Sequence, residues 1–302
     1  MSQVTTNVIP GTQEVVDEKI VQAAVLEISH IATLPEITLK IIRLVEDPNG
    51  TAQELNKVIS HDPALGARIL KVVNSAFYGL PGQIGSINRA IVLLGLNAVK
   101  NIAIAASLAK LFRGGQLCPG FNARDLWSHC VAVATGTQLL ARYIDLGLPD
   151  EAFLAGLIHD IGIMVEAQAR RPKFVEAIER MESTPGLSLR QAETLALGAN
   201  HEQFGGALCR MWKFPAAFAY VTAYHHRPME LAPEHRTLAA LVHIADIAAS
   251  NARLGYVRTV ESGQISPEVL EAVNLTPQHV ENMTNQLPEA LQEPMAMLGE
   301  PV

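Results

Sequence analysis

The sequence predicts an all-α protein built as two helical lobes. Apolar residues recur three and four positions apart along most of the chain, and helix start and stop signals punctuate those stretches. Nothing in the first half alternates with the two-residue period of a strand.

Residues 1–16 lack periodicity and contain Pro10-Gly11, which marks them as a mobile leader. A first lobe is expected over residues 17–115. Val16 to Ile31 carries Val21, Val25 and Ile28 at helical spacing. Leu34-Pro35 opens a second helix, with Ile37, Ile41, Ile42, Leu44 and Val45 on its apolar side and Asp47-Pro48-Asn49-Gly50 as its stop. Thr51-Ala52-Gln53-Glu54 is a capping box, in which the threonine oxygen and the Glu54 carboxylate accept from amides that a helix start leaves free. Leu55, Val58 and Ile59 are the buried stripe of that helix. Asp62-Pro63 starts the next, with Asp62 as N-cap and Pro63 where its missing N–H does no harm, and Leu65, Ile69, Val72 and Val73 line it. Asn74 to Gly82 reads as a loop. Ser86 caps a helix through Ile87, Ile91 and Leu94 to Gly95, and an Ala-rich helix from Asn97 ends near Arg113-Gly114-Gly115.

Gly114 to Gly120, rich in Gly and Pro, is the expected boundary with a second lobe over residues 116–255. Helices are predicted there from about Asn122 to Tyr143, Glu151 to Glu166, through Met181, Leu187 to Ala199, and His201 to Trp212. Another starts at Phe214-Pro215 and stops at His225-His226-Arg227-Pro228, and the last runs from Glu234 to Asn251. Residues 256–302 hold two capped starts, Ser266-Pro267 and Thr276-Pro277, and a frayed polar tail after Pro288.

The chain has 302 residues, 49% hydrophobic and 18% charged, which is the composition of a globular protein with a sizeable core. A net charge of −7 argues against general nucleic-acid binding, which needs a basic surface. Cys118, Cys130 and Cys209 form no CxxC pair, so reduced cysteines and a cytoplasmic location are expected. The N-terminus has no basic region followed by an apolar core, and no uninterrupted apolar run approaches the roughly 20 residues of a spanning helix.

Ala155 to Gly162 sets His159 beside Asp160 inside an otherwise apolar helix. Burying both without partners would be costly. A divalent metal explains them economically; a hydrogen-bonded core histidine with an aspartate facing water is the alternative. His129, His201, the pair His225-His226 and Asp246 fall on or at the ends of separate predicted helices, and Asp125, four before His129, shares its face. His243 is expected to support Asp246 or pack in the core. Trp127 and Trp212 are expected as core anchors, Arg170, Arg171 and Lys173 as a solvated face, and His30, His61, His235 and His279 as surface or cap residues.

In this order the set resembles the HD metal-dependent phosphohydrolase superfamily, whose signature is a first His, an adjacent His-Asp and a distant Asp. Leu34-Pro35, Asp62-Pro63-Ala64-Leu65, Asn74-Ser75-Ala76-Phe77-Tyr78-Gly79 and the helix ending in Leu94-Gly95 resemble the N-terminal half of an HDOD domain, the HD-related output domain of bacterial signalling proteins. That likeness spans roughly Ile28 to Asp246. It implies an N-terminal HDOD helical lobe followed by an HD-like helical lobe. It implies metal ligation by His129, His159, Asp160, His201, His225, His226 and Asp246, with Asp125 where the HD-GYP branch can carry an acidic ligand. One or two ions would be held, with iron, manganese, nickel and zinc all suited to imidazole and carboxylate donors.

Two departures separate the chain from hydrolytic relatives. Ile163 stands where they often have a phosphate-holding lysine, and Arg227-Pro228-Met229-Glu230 replaces Gly-Tyr-Pro of the HD-GYP branch. The resemblance therefore implies a regulatory or interaction module whose partner is another signalling protein or a small ligand. Neither nucleic acid nor membrane is expected as a partner, and self-association into a homo-oligomer stays open. A metal-dependent phosphohydrolase acting on a nucleotide or cyclic dinucleotide, with His159 and Asp160 in the catalytic role, is the alternative.

Overall fold

A computed structural model of the chain describes residues 18–31, 36–47, 49–75, 80, 82–112 and 115–298. The leader 1–16, Leu34-Pro35, Ala76 to Gly79 and Arg113-Gly114 lie outside the described residues. The fold is mostly helical. The first half holds α1 (Glu18–Ile31), α2 (Glu36–Glu46), α3 (Ala52–Ser60), α4 (Pro63–Val73), α5 (Ile87–Leu94) and α6 (Leu96–Leu108). The predicted starts are present in atomic detail: Thr51 and Glu54 complete the capping box of α3, Asp62 accepts from the Leu65 amide at α4, and Ser86 from the Arg89 amide at α5. Lys100, buried on α6, donates its ammonium to the Leu44 carbonyl in the last turn of α2, where a cation meets the negative end of a helix.

The segment expected as a boundary leads into a small antiparallel hairpin, β1 (Gln116–Cys118) and β2 (Phe121–Asn122). Cys118 and Phe121 are buried, and the Phe121 ring packs edge-on against Phe174 at 4.8 Å and Tyr256 at 5.1 Å. Strands of three and two residues are too short for an alternation signal to register in the sequence.

Beyond the hairpin run α7 (Ala123–Tyr143), α8 (Pro149–Ile158), α9 (Ile161–Ala169), α10 (Arg171–Ser183), α11 (Leu189–Leu197), α12 (His201–Met211), α13 (Ala216–Tyr224) and α14 (Pro233–Asn251). Then come α15 (Pro267–Ala272), α16 (Pro277–Ala290) and α17 (Gln292–Leu298). Helix α7 packs along α8 and α14, α12 along α9 and α13, and α1 crosses from the first half onto α9 and α12. The buried apolar residues of both halves form one contiguous cluster.

Two expectations are corrected. The central helix is not continuous: α8 ends and α9 begins at His159-Asp160. There the Ile163 amide bonds the Asp160 carbonyl three residues back, and the His159 ring takes the Gly156 carbonyl. The stretch Pro149–Ala169 is long and apolar enough to cross a membrane, yet 89% of its most apolar window is buried inside the protein, so it is a core element. Nor is the chain frayed from Pro288 to Leu298, where the described residues end. Met283, Leu287, Leu291 and Leu298 are buried on one side, and Lys71 donates to the Ala296 carbonyl, fastening α17 to α4. Their spacing of about one turn continues the apolar stripe that the intervening Glu, Gln and Pro residues obscured.

Helices cross at very short range on both sides of the His159-Asp160 break. A β-carbon on Gly156 would lie 2.6 Å from the Ala134 Cα of α7, and one on Gly162 would overlap the His201 carbonyl and lie 2.7 Å from the Gly205 nitrogen of α12. The break is therefore clamped between α7 and α12. Gly162→Ala should destabilise the chain by at least the ~1–3 kcal/mol typical of overpacking. Gly66→Ala on α4, where a β-carbon meets only Ile59 Cγ2 at 3.6 Å, should be neutral or stabilising by up to ~1 kcal/mol. Urea unfolding midpoints of the two variants test the contrast.

Candidate metal centre

The predicted site residues converge from five places in the fold. His129 projects from α7, His159 and Asp160 sit in the α8–α9 break, His201 opens α12, His225 and His226 follow α13, and Asp246 comes from α14. Helix ends supply most of them because the backbone there is free to turn a side chain out of the helical register. Asn200 fixes the start of α12, its side chain accepting from the Glu202 and Gln203 amides while Gln203 closes a capping box.

Asp160 is the hub. Its Oδ2 lies 3.1 Å from His159 Nε2, and its Oδ1 lies 3.3 Å from His225 Nε2 and 3.6 Å from His201 Nε2. Asp246 Oδ1 is 3.0 Å from His129 Nε2, its Oδ2 is 3.8 Å from His226 Nδ1, and the Nε2 atoms of His201 and His226 are 3.0 Å apart. Three overlapping sets of donor atoms, each within 4.8 Å of one another, result: Asp160 with His201, His225 and His226; His129 with His159 and Asp160; and His159 with His225 and Asp246.

The far nitrogens fix what the near ones can do. Nδ1 of His129 faces the Leu254 carbonyl at 3.2 Å, that of His159 the Gly156 carbonyl at 2.7 Å, and that of His225 the Val221 carbonyl at 3.3 Å. Nδ1 of His201 faces the Glu193 carboxylate at 2.7 Å. Carbonyls and carboxylates only accept, so each Nδ1 carries a proton, and a ring in its neutral form turns its Nε2 lone pair inward. There the lone pairs meet carboxylate oxygens, acceptor against acceptor. His159 Nε2, both oxygens of Asp160, His225 Nε2 and Asp246 Oδ2 are buried with no hydrogen-bond partner among the described residues. One or two cations within the three donor sets would give these atoms partners, and imidazole with carboxylate is a donor set for a divalent transition metal. The residues present fit the ion that the sequence implies.

Asp125 does not join them. Its side chain is exposed on the first turn of α7, and only its backbone carbonyl is used, by the Tyr256 amide at 2.9 Å. Being four residues from His129 places it nearer the helix end, where solvent rather than the centre receives it. His243 supports His225 rather than Asp246, bonding the His225 carbonyl at 2.8 Å. Trp127 and Trp212 are buried beside Phe112 and Phe214, Lys173 pairs with Glu176 on the surface, and His61 and His279 serve as caps. Asp160 is fully buried, so the alternative of an aspartate facing water is excluded. All three cysteines are free and buried.

Sequence reasoning missed a second layer of charge. Glu193 holds His201, and Glu166 is fully buried next to Glu193. Glu202 accepts from the His226 amide at 3.2 Å and pairs with Arg190 and Arg227, each at 3.1 Å. Of these, Glu166 and Glu193 left a signal. Glu166 is a lone carboxylate in the apolar run Ile161 to Ala167, and Glu193 lies four residues after Leu189 and four before Leu197, on the buried stripe of α11.

These contacts set the protonation of the metal-free centre. Burial opposes ionisation of Asp160, but His159, His225 and His201 hold it well below the usual carboxylate range. Burial likewise opposes charging of His201, but Glu193 and Asp160 outweigh it and push the ring up to about 9; His159 is raised in the same way by Asp160. His226 is held well below the usual range by burial and by His225 and His201. The raised histidines give the metal-free chain stability that is full below the ordinary value of 6.5 and lost as pH rises through about 9. Below about 6.5 the neutral His226 removes stability instead. A metal ion displaces those protons, so its binding strengthens as pH rises. The melting temperature of the metal-free chain should therefore fall between pH 6.5 and 9, while that of the metal-loaded chain holds or rises. Calorimetry of both forms across that range checks the opposite slopes.

The family model described as the HDOD domain matches residues 31–228. An uncharacterized protein of Treponema pallidum (strain Nichols) is 24% identical over 221 residues, covering 73% of this chain and 42% of that protein, so the chain spans less than half the length of this relative. A crystal structure of an HDOD domain protein of unknown function from Geobacter sulfurreducens superposes with a TM-score of 0.75 at 23% identity, over 94% of this chain and 99% of that one. One from Marinobacter aquaeolei VT8, provisionally described as a signal transduction protein, also gives 0.75, at 24% identity, over 98% of this chain and 68% of that one. At these identities the two structures establish a shared fold, and the match over residues 31–228 establishes more: the chain belongs to the HDOD domain family.

Proposed function

We propose that this chain is a regulatory or interaction module of bacterial signal transduction, built around a closed metal centre that holds its helices together. The observation that carries this reading is burial. Of the seven residues of the centre, His129, His159, Asp160, His201, His225 and Asp246 are each 0% exposed and His226 is partly buried, whereas a catalytic metal must keep a coordination position open to water and substrate. His129, His159, Asp160, His201, His225, His226 and Asp246 would hold the ion or ions. The bound metal would supply charge neutralisation and a tie between five helical segments, and its binding free energy would count as folding free energy. In this reading residues 17–115 form an N-terminal lobe and 116–255 the HD-like lobe that contains the centre, with a signalling protein or small ligand as the partner. Ile163, buried at the position where hydrolytic relatives often hold phosphate, supports the same conclusion.

Metal-dependent phosphohydrolysis is the second reading. The overlap of three donor sets on shared residues favours it, because adjacent ions can clamp a phosphate and activate water. Elemental analysis of chain purified without metal-affinity resin should find a divalent transition metal. Chelation should then lower the melting temperature, by about 2–4 °C for each kcal/mol of binding energy lost, and His159→Ala and Asp160→Ala should lower it similarly. Turnover of a nucleotide or cyclic dinucleotide by the metal-loaded chain above about 1 per second would instead establish the hydrolase.

A further inference from the structure

Residues 252–266, which join α14 to α15, have neither helix nor strand, and a connection of that length is uncommon in a compact fold unless it has a use. They lie as a strap from α7 to α11, with an anchor near each end. At the first anchor the Leu254 carbonyl accepts from His129 Nδ1 at 3.2 Å, and the Tyr256 amide donates to the Asp125 carbonyl at 2.9 Å. Gly255 between them has a φ of +74°, and a β-carbon there would overlap the His129 amide nitrogen and the Asp125 carbonyl oxygen. The strap backbone therefore rests directly on α7 at His129. At the second anchor Glu261 accepts from Ser188 Oγ at 3.1 Å and pairs with Arg190 at 3.3 Å. Arg190 continues inward to Glu202 at 3.1 Å, and Glu202 accepts from the His226 amide at 3.2 Å.

Between these anchors the strap is held lightly. Of its residues only Tyr256 and Thr259 are buried, and the hydroxyls of both have no hydrogen-bond partner among the described residues. A buried hydroxyl without a partner costs free energy that release into water recovers. Few buried side chains and no regular backbone ladder put a segment at the low-stability end of a fold, where local opening is easiest. Yet its anchors lead to His129 directly and to His226 through two charged residues. An ion that fixes the His129 ring aims Nδ1 at the Leu254 carbonyl, and the seated carbonyl holds the ring for the ion. We propose that the seating of this strap is linked to metal occupancy: a bound ion tightens residues 252–266 against α7 and α11, and loss of the ion makes their release easier. Linkage is reciprocal, so releasing the strap weakens the ion by the same factor by which the ion favours the seated strap. A surface segment that reports the state of a buried centre gives a regulatory module something a partner can read.

The linkage rests on the proposed metal centre, and its test separates the two. Hydrogen exchange of the Tyr256 amide, measured on the full chain with and without Co²⁺ as the probe metal, should be slowed by the ion about 5- to 150-fold, the usual range of coupling between sites. Gly255→Ala, whose side chain keeps the strap from seating, should bind Co²⁺ more weakly by the same factor and alter its visible d–d spectrum. Glu261→Ala tests the second anchor with a surface substitution that leaves the fold intact even where Gly255→Ala does not: strap exchange should quicken and Co²⁺ binding weaken about 2- to 5-fold. Glu261→Gln, whose amide oxygen still accepts from Ser188 and Arg190, should restore most of both. Glu176→Ala, which removes surface pairs with Lys173 and Arg180 on α10, should change neither. Tyr256 exchange that ignores bound Co²⁺, full Co²⁺ affinity in a variant whose strap exchanges faster, or an equal effect of Glu176→Ala would overturn the linkage and leave the metal centre standing. An unaltered chain that binds no Co²⁺ would overturn the centre itself and the linkage with it.

Discussion

Inward-facing lone pairs govern this fold. Four imidazoles have their Nδ1 protons committed to carbonyls or a carboxylate, and the opposite nitrogens converge on Asp160 and Asp246, groups that also only accept. Such an arrangement is unfavourable in a dry interior unless something positive sits within it. Protons can do so in part, as the raised His159 and His201 indicate, but charging every ring would leave a large excess of buried positive charge against two aspartates. A divalent cation would neutralise both carboxylates and offer the lone pairs a partner.

The surrounding structure serves that convergence. The centre takes His129 and Asp246 from within α7 and α14 and its other members from helix ends: the α8–α9 break, the first residue of α12 and the residues that follow α13. These ends reach one another only because backbones approach closely at Gly156 and Gly162. The helix termini also contribute electrostatically: Asp160 lies at the start of α9, where the positive end of the helix favours a carboxylate. Around this, Glu193 orients His201, and Glu202 ties the His226 backbone to Arg190 and Arg227. The centre and its second layer are thus one electrostatic unit, in which removing any member leaves a buried charge behind.

How much of this was legible in the sequence depended on the range of the interaction involved. Capping at Thr51, Asp62 and Ser86 is local and was readable to the residue. The convergence of His129, His159, Asp160, His201, His225, His226 and Asp246 was readable because polar groups in apolar helices need partners, and because their order resembles a known family. Asp125 failed for a reason of geometry: sharing a helix face fixes direction but not depth, and a residue in the first turn can share the face and still reach water. The break at His159-Asp160 was invisible because no Pro or Gly stands at it; a side-chain bond to the Gly156 carbonyl and the Gly162 contact with α12 impose it from outside the helix. The second layer was hidden by its length scale, since Glu166 and Glu193 lie on different helices and acquire meaning only when α9 and α11 are brought together beside His201.

Closure of the centre follows from the same contacts that assemble it. The chain leaving α14 crosses back over α7, where Leu254 offers its carbonyl to His129 and the Tyr256 amide bonds Asp125. Further along, Glu261 accepts from Ser188 and pairs with Arg190, which in turn meets Glu202 behind His226. One segment thereby holds a ligand on each side of the centre, His129 directly and His226 through two charged residues. Displacing that segment would break the hydrogen bond between His129 and the Leu254 carbonyl and loosen the ion pairs behind His226. The contacts that hold the segment down are therefore also the ones that keep the cluster assembled, which is what the proposed tie between helices requires.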